Sequence, residues 1–467
     1  MQEISVIGTG YLGAVHATAL AWSGFQVVGI DSDAEKVSRL NAGQPPFHEP
    51  GFDRILGEAI TSGRLRFSTD YAAAQACDVH FLCVGTPQSA VGNAADLSYV
   101  WAAVEALERV VRRDSVLVGK STVPVGTAAA IQSALGGDGP QSPLVMWNPE
   151  FLREGFAVQD TLSPDRIVVG RPCVSDSDRE AAASDKLRAI YAKQIEEGIP
   201  YIETDLATAE LVKVAANAFL ATKISFVNAM AQVCDAVGAD VLDLADAIGH
   251  DSRIGRRFLN AGVGFGGGCL PKDIRAFRAR VDELGLGSTS DFLSWADETN
   301  MRSRQCVVDR AVDICGGTVS GAKITILGAA FKPDSDDVRD SPGLWIGSEL
   351  AARGATVVVH DPVAQSGARR SHPHLEYPET VHEALADASL VVLATEWGHY
   401  LEMEPDRVAA LVRRPVIIDG RNALSAQAWI DSGWHYIGVG RYPATRKDSV
   451  LDLRASSATP VIAPSST

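Results

Sequence analysis

Cys269 lies in the run GFGGGCLPKD, residues 264–273, where four glycines lead into one thiol that is followed at once by Pro271, Lys272 and Asp273. Glycine at this density lets backbone approach a ligand closely, and Pro271 suits the first turn of a helix running through DIRAFRARV. Cys269 then stands at a helix N-terminus beside an ammonium group. Both favour thiolate, and together they are expected to draw the thiol from about 8.5 into the range of roughly 3.5–7.5. The chemistry on offer is nucleophilic attack, against the plainer alternative of a small residue packed at a tight turn.

Lys213 and Asn217 stand four residues apart in an apolar, helix-periodic stretch, so both project from one face. An ammonium and an amide side by side could stabilise an alkoxide or a tetrahedral oxyanion beside a thiol; the alternative is a partly exposed face reaching solvent. Glu150 and Glu154 sit in NPEFLREG just after a predicted strand, where active-site residues of parallel sheets collect, or else at the surface. The ten histidines show no HExxH or similar spacing, so no metal is indicated, and His16 reads as packing or surface. The other six cysteines lie in apolar or helical contexts and read as core or surface thiols.

A second signal opens the chain. Gly8, Gly10 and Gly13, with Tyr11 and Leu12 between the last two, form GxGxxG between a predicted strand and helix, and Asp31 follows at the end of the next strand. Gly8 permits the tight turn, Gly10 the approach of a pyrophosphate, and Gly13 close helix packing. A carboxylate at Asp31 suits a ribose hydroxyl and repels a 2'-phosphate, which favours NAD over NADP. Lys36 lies close by in sequence.

These residues need elements to position them. Short apolar runs from residues 78, 115, 143 and 166 alternate with helical stretches after the opening βαβ unit, which indicates a parallel sheet covered by helices. From Asp205 to about Gly249 the chain turns alanine-rich, without proline or glycine through Val237, and reads as one long helix buried between domains or against a second subunit. A second α/β pattern begins at KITILGAAFKP, residues 323–333; it rhymes with the first but lacks GxGxxG. The expected fold is therefore α/β, two doubly wound Rossmann-like domains joined by a long central helix. Its boundaries are 1–203 for cofactor binding, 204–300 for a central helical dimerisation and substrate-site region, 301–446 for the second doubly wound domain, and 447–467 for a mobile Ser/Thr/Ala/Pro-rich tail.

The chain has 467 residues, 46% hydrophobic and 21% charged, with a net charge of -16. That balance argues against a broad nucleic-acid or anionic-membrane surface. Seven scattered cysteines without a CxxC pair fit a reducing cytoplasm, and the opening ISVIG has no leader-like basic region, so a soluble cytoplasmic protein is expected.

GTGYLG at 8, CVGTP at 83, KSTVPVGT at 120, NPEFLREG at 148, KVAANAF at 213, GFGGGCLPKD at 264 and AFKPDSDDVRDSP at 330 together resemble the UDP-glucose 6-dehydrogenase group of the UDP-glucose/GDP-mannose dehydrogenase family. The resemblance implies NAD-dependent, four-electron oxidation of a sugar C6 alcohol to a carboxylate, without metal. It implies that Cys269 captures the aldehyde as a thiohemiacetal and then carries a thioester, that Lys213 and Asn217 hold the oxyanion, and that Asp273 and Thr122 position a water. Glu150 is implied as general base for thioester hydrolysis, with Asp273 open for the first alcohol proton. It adds Lys36, Thr86, Thr122, Glu154 and Arg339 to the cofactor site. For the nucleotide sugar it implies Phe151, Leu152, Arg153, Glu154, Lys213, Asn217, Phe258, Gly266, Lys332 and Arg421, with Arg253 reaching a partner subunit across a homodimer built on the central helix. UDP-glucose is the favoured substrate. Gly268 and Leu270 stand where serine and phenylalanine are commoner, without carrying the chemistry; GDP-mannose stays open because GDP-mannose dehydrogenases share CLPKD, and the sequence does not separate UDP-glucose from TDP-glucose. A two-electron hydroxy-acid dehydrogenase, which also pairs lysine and asparagine one turn apart, and a non-catalytic binding module are the other readings.

Overall fold

A computed structural model describes residues 3–137, 139 and 142–441. The expected mobile tail at 447–467 lies outside the described residues. Two parallel-strand sheets flank a helical centre.

The first sheet contains β1 (Glu3–Ile7), β2 (Gln26–Ile30), β3 (Leu65–Ser68), β4 (Val79–Leu82), β5 (Val116–Gly119), β6 (Leu144–Trp147), β7 (Ile167–Arg171) and β8 (Tyr201–Asp205). Its order is β3-β2-β1-β4-β5-β6-β7-β8, parallel throughout except where β6 meets β7. Its strands are apolar on both faces because helices cover both, as Ile4, Val6 and Ile7 on β1 show by being fully buried. Sheet order reverses between β1 and β4, which opens a crevice at their carboxyl ends. Gly8 follows one of these strands and Cys83 the other.

The long helix spans Leu206–Val237, 32 residues. It begins where the Asp205 side chain accepts from the Thr208 N–H at 2.8 Å and stops at Gly238, whose φ of 75° is the left-handed turn glycine tolerates. The alanine-rich pattern predicts helix from Asp205 to about Gly249. The structure instead turns at Gly238 and starts a separate helix, Val241–Gly249, capped by Asp240. On the long helix, Val214, Ala218, Ala221, Ser225 and Asn228 are buried, facing helices Leu270–Glu283 and Gly287–Ile314. Phe219, Phe226, Val233 and Val237 are exposed on the same helix. By length and composition it is also apolar enough to cross a membrane, but its inner side is packed within the protein.

The second sheet contains β9 (Lys323–Leu327), β10 (Thr356–His360), β11 (Leu390–Leu393), β12 (Val416–Asp419) and β13 (His435–Gly438), all parallel, in the order β10-β9-β11-β12-β13. Counted from its own first strand this order is 2-1-3-4-5, the other common doubly wound arrangement. Its switch point lies between β9 and β11.

Candidate active site

The glycines after β1 build a cradle. A methyl group at Gly13 would lie 1.8 Å from the Gly8 carbonyl oxygen and one at Gly8 would lie 2.9 Å from Val84, so both are fixed by packing, whereas a methyl at Gly10 would meet nothing within 4 Å. Gly10 therefore faces open space at the start of helix Tyr11–Trp22, which fits a pyrophosphate approaching a helix N-terminus. Asp31 is held ready beside it. Its Oδ2 accepts from the Thr9 N–H at 2.8 Å and the Thr9 hydroxyl at 3.0 Å, and Lys36 pairs with it at 3.0 Å. Although burial opposes ionisation there, these partners hold the Asp31 carboxyl below its ordinary value. On the far side of the crevice Thr86 donates to the Thr122 carbonyl at 2.8 Å, joining the ends of β4 and β5. Tyr11 hydrogen-bonds Glu49, and the Gly155 N–H donates to both, at 3.0 Å to the Tyr11 hydroxyl and 2.7 Å to Glu49. The dinucleotide cradle is thus tied to the NPEFLREG loop, while Leu12 packs into the core beneath it.

Cys269 is the N-cap residue of helix Leu270–Glu283, with Pro271 in the first turn. Two side chains of helix Gly287–Ile314 hold the glycine loop from below. Asn300 exchanges both bonds with Phe265, at 2.7 and 3.0 Å, and the fully buried Arg304 donates to the Phe265 carbonyl at 2.6 Å and to Asp340 at 2.6 Å. The expected acidified thiol is not found. Cys269 is accessible to solvent, yet protein surrounds it closely enough that burial is the largest influence and raises the thiol above its ordinary value. Asp273 and Glu154 raise it further against Lys213 and Lys272, which lower it. Lys272 is drawn to Asp273 at 2.5 Å, so its charge is largely spent on a carboxylate.

Asp273, 2% exposed, takes Lys272 on one oxygen and the Asn217 amide on the other at 2.7 Å. Lys213, one turn before Asn217, stands 5.4 Å over the Phe151 ring, and Arg166 lies 4.0 Å from the same ring. Among the described residues Lys213 has no ion pair, which leaves its charge available near the thiol it influences. A cavity of about 10 Å³, the room of roughly one water, is lined by Thr122, Val214, Lys272 and Asp273 among others.

Of the two carboxylates of NPEFLREG, Glu154 is buried and Glu150 is part-buried. Glu150 pairs with Lys120 at 3.0 Å and accepts the Phe151 and Leu152 N–H groups at 2.8 and 3.1 Å. Glu154 reaches the opposite domain, accepting from Ser335 at 3.1 Å and Arg339 at 3.3 Å, while Lys332 donates to its carbonyl. Burial pushes the Glu154 carboxyl up to about 7, the nearby Asp337 adds to that, and Arg339 and Lys332 oppose it. Lys332 is itself lowered by burial. Arg339 lies against Gly268, where a methyl group would come 2.1 Å from its guanidinium carbon.

Other expected residues are placed differently. Arg153 is tied to Asp160 at 2.6 Å on the outside, and Arg253, 87% exposed, pairs with its neighbour Asp251 at 2.6 Å, so neither joins the cluster within one chain. Arg421 donates to the carbonyls of Ala394, Phe331 and Gly264 at 2.6, 3.0 and 3.3 Å and pairs with Glu396, which makes it a clamp between the glycine loop and the second sheet. Phe258 is part-exposed with φ 66°, a strained setting for a phenylalanine. Gly266 is buried where a methyl would lie 2.4 Å from the Asp340 carbonyl oxygen.

Residues 2–195 match the NAD binding domain of the UDP-glucose/GDP-mannose dehydrogenase family, 207–302 its central domain, and 325–426 its UDP binding domain. The chain belongs to this family. It is 41% identical over 450 residues to the UDP-glucose 6-dehydrogenase TuaD of Bacillus subtilis (strain 168), covering 96% of this chain and 94% of that one. It is 38% identical to the UDP-glucose 6-dehydrogenase of Rhizobium meliloti (strain 1021), over 94% and 100% of the two chains. Among solved structures it resembles a UDP-glucose dehydrogenase from Pyrobaculum islandicum, with TM-score 0.84, 37% identity and coverage of 94% and 98%. A UDP-D-ManNAc dehydrogenase from Pyrococcus horikoshii gives 0.81 and 25%, covering 95% and 100%. The protein is thus an NAD-dependent dehydrogenase of nucleotide sugars.

Sequence reading missed Lys120, Glu49, Asn300 and Arg304. Lys120 had a visible signal, a lysine closing the otherwise apolar strand VLVGK. Asn300 and Arg304 had none, since their partners lie far along the chain.

Proposed function

We propose that the enzyme oxidises UDP-glucose at C6 to UDP-glucuronate, with Cys269 retaining the aldehyde between two oxidations. The carrying observation is the solvent-accessible Cys269 thiol beside Asp273, with Asn217 bonded to that carboxylate and Lys213 one turn before Asn217 acting on the thiol. NAD supplies the hydride acceptor in both oxidations. The C6 alcohol loses its hydroxyl proton to a base, for which Asp273 is the nearest carboxylate on the thiol's own helix. Sulfur then bonds the aldehyde carbon, and the carbonyl oxygen takes the proton sulfur gives up, so this step needs no preformed thiolate. Lys213 and Asn217 donate to that oxygen. The second oxidation leaves a thioester, and water activated by Glu150 cleaves the C–S bond. One alcohol, one water and two NAD yield one carboxylate, two NADH and three protons.

The cofactor is proposed to lie along Gly8, Gly10, Tyr11, Leu12 and Gly13 to Asp31 and Lys36, with Thr86, Thr122, Glu154 and Arg339 at its other end. The nucleotide sugar is proposed to span Phe151–Glu154, Phe258, Gly266, Lys332 and Arg421. This corresponds to the division 1–203, 204–300 and 301–446. The exposed stripe Phe219, Phe226 and Val233, spaced by sevens on the central helix, supports a homodimer in which Arg253 reaches the partner's substrate. Seven unpaired cysteines support a reducing, cytoplasmic setting.

The deciding experiment counts NADH at 340 nm per sugar nucleotide consumed, with UDP-glucose, TDP-glucose, GDP-mannose and UDP-N-acetyl sugars in parallel. Two per UDP-glucose, abolished in Cys269→Ser, is the expected result. Two from another sugar alone would move the specificity, the direction to which the Pyrococcus likeness points. One per substrate would replace the mechanism by a two-electron oxidation.

A further inference from the structure

Lys120 is a cation with almost no access to water. It closes β5, is 4% exposed, and sits with its ammonium 3.0 Å from Glu150 Oε2 and 3.0 Å from Asn148 Oδ1. Asn148 is itself fixed, accepting from the Tyr191 hydroxyl at 2.5 Å and donating to the Val168 carbonyl at 2.8 Å. On the remaining side lie the Phe81 ring, 5.9 Å away, and the buried imidazole of His16, held neutral first by its burial and then by Lys120 itself. Among the described residues Glu150 is the one carboxylate paired with this lysine. Burial is the largest single influence on Lys120 and lowers it, but Glu150, with smaller help from Tyr191 and Cys83, more than offsets burial and holds the ammonium above its ordinary value. A buried charge of this kind is costly unless its partner stays ionised.

We propose that Lys120 is a positioning residue for thioester hydrolysis, which aims the Glu150 carboxylate at the attacking water and drives Glu150 to release the proton it takes. The inference rests on Glu150 being the base in that step. Glu150 removes one proton as the water oxygen bonds the thioester carbon, and at that moment Lys120 loses its only counter-charge. Collapse of the tetrahedral intermediate breaks the C–S bond with the electron pair on sulfur. Neutral Glu150 then gives its proton to that sulfur, which restores both the ion pair and the Cys269 thiol, and the new carboxylic acid loses its own proton to solvent. Neither hydride transfer uses Glu150, so the effect of Lys120 should be confined to the last step.

The test is rapid mixing of enzyme with excess NAD and UDP-glucose, reading NADH against time and the mass of the quenched protein. K120M should give a burst of two NADH per active site at close to the wild-type rate, then turnover at least about tenfold slower, with a covalent acyl adduct on the chain. E150Q should do the same, and K120M/E150Q should be no slower than E150Q while melting at a higher temperature than K120M, because the double variant leaves no unpaired buried charge. K120Q serves as a second variant, and a full burst from either shows an intact active site. Loss of burst and turnover in equal proportion in both Lys120 variants, wild-type turnover in K120M, or a further slowing in the double variant would each overturn the role of Lys120 while leaving Glu150 in place. A lack of burst and adduct in E150Q would instead remove Glu150 as the base, and the inference with it.

Discussion

The two doubly wound domains use one local design for opposite ends. In the first, Gly8 turns the chain after β1 with φ 85°, Gly13 lets the helix press on the Gly8 carbonyl, and Asp31 beyond β2 accepts the Thr9 N–H. In the second, Gly328 turns the chain after β9 with φ 110°, a methyl at Gly343 would lie 2.4 Å from the Gly328 carbonyl oxygen, and Asp361 beyond β10 accepts the Ala329 and Ala330 N–H groups at 2.8 and 2.9 Å. Two differences separate them. Helix Tyr11–Trp22 starts at once after the first turn, but segment 331–341 intervenes before helix Pro342–Ala352 in the second. That excursion carries Lys332, Ser335 and Arg339 across to Glu154 and the thiol loop. The second acid is also closed, since Asp361 is 1% exposed and takes the Val363, Ala364 and Trp397 N–H groups as well. Asp31, 9% exposed, is the more open of the two acids; Asp361 is a keystone.

The sharpest break in the comparison comes from changing each acid to its amide. Asp361→Asn places an NH2 group among five N–H donors and should cost about 3 kcal/mol or more of stability, since bonds to a charged acceptor are worth roughly 1.5–3 kcal/mol each. Asp31→Asn, which loses charge-assisted bonds from Thr9, Asp33 and Lys36, should cost less than Asp361→Asn, about 1–2 kcal/mol, while KM for NAD rises about tenfold, equivalent to about 1.4 kcal/mol. Thermal melts and NAD titrations on both variants check this, and equal melting losses would erase the distinction. The glycines give a smaller version. Gly343→Ala forces a methyl onto backbone and should cost about 1–3 kcal/mol, whereas Gly10→Ala, with nothing within 4 Å, should keep stability and weaken NAD.

Where the domains meet, the comparison becomes a pH dependence. Glu154 sits at about 7 in the folded protein, against about 4.3 for a free glutamate, because burial resists its charge. A raised carboxyl binds its proton more tightly when folded, so its stabilising contribution is complete below about 4.3 and is lost as pH climbs through 7. E154Q should therefore melt with a flatter profile between about pH 4.3 and 7 than the parent, by a few kcal/mol at most. Parallel profiles would show that Glu154 is already ionised at the interface.

Local order explains what could be read from sequence. The βαβ opening, the apolar runs of β4 to β7 and the glycine-free helix through Val237 are signals carried within a short stretch, and they were legible. β3, β8 and β13 were not, because LRFS, YIETD and HYIG lack the apolar run of a fully buried strand and lie toward or at a sheet edge. In the site, the thiol, the Lys213/Asn217 pair and the two glutamates stood out by residue type and spacing. Their electrostatics did not: the rise in the Cys269 thiol comes from burial and from carboxylates brought in by folding, including Glu154 from another domain. Arg421 shows the same limit. The resemblance implies a place for it beside the nucleotide sugar, but its guanidinium also clamps carbonyls that no spacing rule places there.

The smallest predicted effect isolates the keystone. Trp397 is 7% exposed and donates its indole N–H to Asp361 at 3.1 Å, one of five donors on that carboxylate. Trp397→Phe keeps an aromatic ring in place but removes that donor, so four backbone N–H groups still satisfy Asp361. The loss should be about 1–2 kcal/mol, near the low end for a bond to a charged acceptor and well below that of Asp361→Asn. Because Asp361 and Trp397 bond within the second domain and not to the glycine cradle, KM for NAD should stay at the parent value. A variant that weakened NAD binding as much as stability would mean that the closed acid communicates with the cradle, and the two domains would then differ in degree and not in kind.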